Sequence, residues 1–207
     1  MLDQRGVSRP GLVVGIVAAL LIAGASYYLF LRTRSEIPSL SQADSGPDGE
    51  GAKVDIAQGP IAWRARGAQA QNAIKPGDRF AVGAQFSLKN GSTLQVMTVG
   101  NWLLVLDGEG EFVFDDARRD PDRKAHTGIW TMTKGTIRAK PHDYDPADHW
   151  LEIRTPKAKI YVHQGEVGAR ISEGGSGSVW LVKGQAEVVW EDGRRKKLEP
   201  NNTMEYL

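Results

Sequence analysis

Between Leu151 and Tyr206 apolar side chains return at every second residue, and this alternation limits the folds open to the chain more than any other feature. Ile153, then Ile160 and Val162, then Val167, Ala169 and Ile171 share one side of an extended backbone, as they must where a sheet buries one face and wets the other. Val179 and Leu181 continue the pattern, and Ala186 to Trp190 forms a short, mostly apolar run. Between these segments stand Gln164-Gly165, Gly174-Gly175-Ser176-Gly177, Lys183-Gly184 and Asp192-Gly193. Each supplies the positive φ of a tight hairpin, so each is read as a turn. Thr155-Pro156 falls at a strand edge, because proline has no N–H for the ladder.

The same signature extends back to Ile61. Ile61, Trp63 and Ala65 alternate, and Ile74, Phe80 and Val82 flank Pro76-Gly77. Phe86 and Leu88 are expected to pair with Leu94 and Val96 across Asn90-Gly91, with both turn residues left-handed. Leu104 and Leu106 run into Asp107-Gly108, and Phe112 and Phe114 leave it; Ile129 to Met132, Lys134-Gly135 and Ile137 make another hairpin. No helical period appears after Leu31. The expected fold is all-β, a hairpin-built sandwich or a stack of β-coils over 61–207, preceded by one transmembrane helix. Tryptophans 63, 102, 130, 150, 180 and 190 recur in or beside these strands, where packing accounts for most of them.

The helix is expected at Gly11–Leu31, which carries no charge and at about 1.5 Å per residue reaches roughly 30 Å, a bilayer's thickness. Tyr27 and Tyr28 sit near one end, and Arg32 and Arg34 follow. Cleavage after Ala25 is the competing reading, but the apolar run continues past that site. Residues 1–10 then form a short cytoplasmic N-terminus. The polar remainder places the C-terminal domain in the periplasm, on a single-pass inner-membrane protein. Residues 32–60, rich in serine, glycine and acids, read as a flexible linker. Gly11, Gly15 and Ala19 form a small-residue stripe that leaves room for a homo-oligomer.

Charge excludes other classes. The 26 Lys+Arg and 25 Asp+Glu balance, so the one-sided basic field of nucleic-acid binding is missing, and Arg194 to Lys197 is read as a solvated strand. Cysteine is absent, which removes disulfides and thiolate chemistry. There is no nucleophile elbow, P-loop, dinucleotide fingerprint or zinc-helix motif, so neither an enzyme nor a cofactor is expected. Two polar insertions, Asp115–Thr127 and Lys140–His149, are long for hairpin connections, and such loops often carry function. His142, Asp143, Asp145, Asp148 and His149 lack metal-ligand spacing and are read as a solvated loop.

A further pattern lies in Thr155, Pro156, Ala158, Val162, Gly165, Gly184, Leu198 and Pro200, with Lys75-Pro76-Gly77-Asp78 and Lys89-Asn90-Gly91-Ser92 upstream. These residues resemble the FecR domain, whose Thr-Pro-x-Ala step enters a strand, a glycine turn and a closing hairpin. The resemblance covers 61–207. It departs from the family at Val162-His163-Gln164-Gly165-Glu166-Val167, where Val-Arg-Gly-Thr-x-Phe is usual, and at Asn201, where the tail often has glycine. FecR proteins are membrane regulators that relay transporter occupancy to a cytoplasmic sigma factor. Because 1–10 is short for a sigma-binding region, the resemblance implies a scaffold or accessory subunit that docks to an envelope protein in signalling or assembly. Two alternatives stand: a truncated FecR-type sigma-factor regulator, and a bitopic jelly-roll lipid carrier. In the carrier Phe86, Leu94, Phe112 and Ile137 would line an open slot.

Overall fold

The computed structural model describes residues 51–68, 71–120, 125–142 and 149–206. The expected membrane helix at Gly11–Leu31, its cleavage site and most of the expected linker lie outside these residues. Among the described residues no helix is long and apolar enough to cross a membrane. They form thirteen strands and one short 3-10 turn, Val99–Asn101. The strands are β1 (Gly51–Gln58), β2 (Ile61–Arg64), β3 (Asn72–Ala73), β4 (Arg79–Ala81), β5 (Gln85–Leu88), β6 (Thr93–Thr98) and β7 (Trp102–Asp120), followed by β8 (Ala125–Pro141), β9 (Trp150–Arg154), β10 (Ala158–Ile171), β11 (Gly177–Trp190), β12 (Arg195–Lys197) and β13 (Asn202–Tyr206).

The all-β expectation holds, and the strands form a two-layer sandwich. The first layer runs β3-β2-β5, then the second half of β7, the first half of β8, β9, the first half of β10, the second half of β11, and β12. The second layer runs β4-β1-β6, then the first half of β7, the second half of β8, the second half of β10, the first half of β11, and β13. Every pairing is antiparallel except β8 with β9. One core lies between the layers: Phe80 of the second meets Trp63 and Phe86 of the first edge-on, at 4.6 and 5.0 Å between ring centroids. Trp130 stacks on Phe114 at 5.0 Å and on Phe86 at 5.8 Å.

Four long strands therefore serve both layers, and this corrects the hairpin reading. Asp107-Gly108, Lys134-Gly135, Gln164-Gly165 and Lys183-Gly184 lie inside β7, β8, β10 and β11 and bend them from one layer into the other. The physical reason is close backbone approach. Gly165 and Gly184 face each other in register, and a Cβ on either would fall 1.9 or 2.1 Å from a carbonyl oxygen of the opposite strand. Asn90-Gly91 is a corner as well: β5 pairs with β2 and β7, β6 pairs with β1 and β7, and the two do not pair with each other. Only Gly91 is left-handed (φ 76°), and the Ser92 N–H donates to the Lys89 carbonyl at 3.1 Å, the pattern of a type II turn. By contrast Gly174 to Gly177 and Asp192-Gly193 are the hairpin turns expected.

The domain also starts earlier than Ile61. Gly51–Gln58, read as linker, is a strand whose Ala52 and Val54 are fully buried against β4 and β6. Likewise the insertion Asp115–Thr127 is mostly ladder, with Arg118 opposite Thr127 and Arg119 opposite His126.

The registers define two ends. The bends of β7 and β8, and the turns at Lys89–Ser92, Thr155–Ala158, Ser172–Ser176 and Trp190–Arg194, gather at one, here the turn end. The bend of β10 and β11 and the strand ends at Trp102, Ala125, Pro141 and Trp150 gather at the other.

Candidate functional site

All four histidines of the chain, His126, His142, His149 and His163, lie at this second end. Topology brings them there, since β8 starts and finishes at this end after bending at Gly135. His126 opens β8, and its N–H donates to Nδ1 of His149 at 2.9 Å, with the two rings 5.4 Å apart. The His142 N–H donates to the Asn101 carbonyl at 2.7 Å. The His126–His149 bond thus ties the two polar insertions directly, and the 3-10 turn holds the second of them. Gly100 there has a φ of 71°, and a Cβ on it would sit 3.3 Å from both the His126 carbonyl oxygen and the His149 Cβ.

Beside the histidines an aromatic row crosses the outer face of the first layer. Trp150 is 36% exposed, stacks on His163 at 5.9 Å with nearly parallel planes, and lies 6.0 Å from Tyr161. Partial burial pushes the Tyr161 phenol above its ordinary pKa, and the nearby Glu152 carboxylate pushes the same way. Glu152 is buried and accepts from Arg154 Nε at 2.7 Å, which holds the guanidinium firmly protonated. On β7 the Arg118 guanidinium, 2.7 Å from Asp116, holds that carboxyl below the usual aspartate range. The face offers a broad aromatic surface beside charges already paired with each other. Sequence reasoning singled out the two insertions but not their meeting, read Trp150 as a packing residue and missed Tyr161. Their adjacency arises from the β9–β10 register, and no local motif announces it.

Among the described residues no three potential metal ligands converge; Asp143, Asp145 and Asp148 lie outside them. The FecR-like motif residues are architectural. The Thr155 N–H and Oγ both donate to the Ala158 carbonyl, at 2.9 and 3.0 Å, and Oγ accepts the Ala158 N–H at 3.1 Å. Pro156 lies inside this turn, correcting its placement at a strand edge. Ala158 and Val162 are core residues, and Gly165 and Gly184 form the bend. Thr155 to Ala158 lie at the turn end and the glycine pair at the histidine end, so the motif spans the fold without forming a pocket. Phe86, Leu94, Phe112 and Ile137 close on one another in the core, none more than 2% exposed. A cavity of about 320 Å³ opens on the outer face of β2, β5, β7 and β8, among Arg64, Gln85, Ser87, Glu111, Thr131 and Thr133. Its lining is mainly polar.

No family model and no curated protein matches the chain. Two crystal structures of a protein from Parabacteroides distasonis, provisionally described as an anti-sigma factor, align at 17% identity and a TM-score of 0.47 over 57% of this chain. The aligned part spans about half of those chains, 52%, so the chain is similar to them in outline over part of its length.

Proposed function

We propose that the chain is a FecR-like protein-binding module of the bacterial envelope, held at the inner membrane by Gly11–Leu31 with its β domain in the periplasm. It acts there as a scaffold or accessory subunit in signalling or assembly. The observation that carries this reading is the meeting of His126 and His149, one from each polar insertion, beside the aromatic row of Trp150, Tyr161 and His163. Aromatic side chains held rigidly at a surface are the usual anchors of protein interfaces, because they desolvate a large area at little entropic cost. The closed core supports protein docking over lipid carriage, since Phe86, Leu94, Phe112 and Ile137, which a carrier would open into a slot, are buried in one core.

The test is crosslinking in cells from photoreactive residues placed at His142 and Trp150, with Thr133 on the polar outer face as control. A single envelope protein should be trapped from the first two positions and not from the third. Equal trapping from all three, or lipid retained on the purified protein with no adduct, would overturn the proposal. Shortening the segment before Gly51 should weaken capture while leaving the domain folded, because it reduces the volume the domain can search.

A further inference from the structure

A sheet edge is a row of unpaired N–H and C=O groups, and proteins that do not use an edge usually blunt it by shortness, charge, proline or a bulge. The two layers have four edges among the described residues. Three are blunted. β3 has two residues; β4 has three, beginning with Arg79; β12 has three, all cationic and exposed. β13 differs. It has five residues, Asn202–Tyr206, pairs without a register break to β11, and contains no proline, lysine or arginine. Among the described residues no other strand pairs with it. Asn202, Thr203 and Glu205 are exposed, and Met204 is half-buried at the margin of the core.

We infer that β13 is a strand-addition edge and that its occupant is β13 of a second copy, antiparallel about a two-fold axis through Met204. Self-pairing in this register is complementary. Met204 faces Met204 and extends the apolar margin of both cores, while Thr203 faces Glu205 twice, so a hydroxyl meets each carboxylate. Sliding the axis to Glu205 would place the two carboxylates opposite each other, and like charges directly across a ladder repel. The acid thus disfavours the Glu205 register, and the Met204 register is the one that pairs the whole of Asn202–Tyr206 with its copy. This inference stands apart from the envelope reading, because it uses only the edge and its sequence.

The absence of cysteine makes the test direct. In the full chain, in detergent under mild oxidation, Met204→Cys should give a disulfide-linked dimer, because opposed Cα atoms lie about 4.5–5.5 Å apart. Thr203→Cys or Glu205→Cys alone should give none, since each would sit two residues out of register with itself, beyond the roughly 7 Å limit for a bridge. Mixing the Thr203→Cys and Glu205→Cys chains should restore the crosslink. The unsubstituted chain should sediment as a dimer, which keeps the proposal testable if Met204→Cys folds poorly. A monomer at tens of micromolar, equal crosslinking at all three positions, or a disulfide from the Met204→Cys chain to a different protein would each overturn it.

Discussion

The two ends of the sandwich are built by different means. At the turn end the chain reverses within a few residues, and each reversal is closed by its own backbone: Thr155 to Ala158 at 2.9 Å, Ser172 to Ser176 at 2.9 Å, Trp190 to Arg194 at 3.0 Å. At the histidine end distant segments are joined through groups such as His126 and His149, 23 residues apart. The first end is local chemistry and repeats wherever glycine, proline and a short polar residue meet. The second exists only once the layers are assembled, and it is there that Trp150 stands out to solvent. On the reading proposed above, the docking surface lies at the end that only assembly creates.

Substitutions sharpen that division. The largest effect is expected where the histidine end depends on backbone: Gly165→Val puts a β-branched residue at φ 95° with its Cβ against the Lys183 carbonyl, and should cost on the order of 4 kcal/mol or more. Near-normal stability in urea titration would refute the bend as drawn. In the core between the ends, Trp130→Ala should cost about 3–5 kcal/mol. Trp130→Phe should cost much less than Trp130→Ala, because the buried Nε1 has no partner to lose. At the turn end, Gly91→Val meets open space and pays only for its φ of 76°, about 1–2 kcal/mol. Comparing its midpoint with that of Gly165→Val separates strain from collision. Trp150→Ala should shift stability by less than about 1 kcal/mol, as expected for a surface side chain, yet abolish partner capture. Loss of both together would make Trp150 a structural residue. Smallest is an acid effect at the turn end. The Arg194 N–H, then its guanidinium, hold Asp192 below the ordinary aspartate range. Its contribution is complete above that range and fades as pH falls through the lowered value, so Asp192→Asn should slightly flatten the acid limb of a stability–pH curve.

The same division explains what the amino-acid sequence disclosed. Period-two alternation identified the inward residues of β5, β9, β10 and β11 correctly, because burial on one face is a local pattern. Turn dipeptides also marked many of the left-handed positions, Gly91, Gly108, Gly135, Gly165 and Gly184 among them, but not Gly59, Gly67, Gly83, Gly100 or Asn101. They could not say whether a glycine turns the chain back on itself or bends a strand that continues. Asp192-Gly193 and Lys183-Gly184 look alike as dipeptides, yet one closes a hairpin and the other lies inside β11. What separates them is the partner strand's backbone a few ångströms away. The start at Gly51 was hidden because Ala52 and Val54 are a weak apolar signal among glycines and acids. The aromatic row was hidden because Trp150 and Tyr161 meet through pairing.

Strands that bend between layers also govern how the domain comes apart. β7, β8, β10 and β11 each contribute one half to each layer, so neither layer can peel away without tearing strands out of the other. Hydrogen exchange should therefore find the slowest amides of both layers opening together, in one global event. The same interlock gives the chain many pairings between residues far apart in sequence, and non-local pairing slows folding. A domain of this kind is costly to assemble and reluctant to fray.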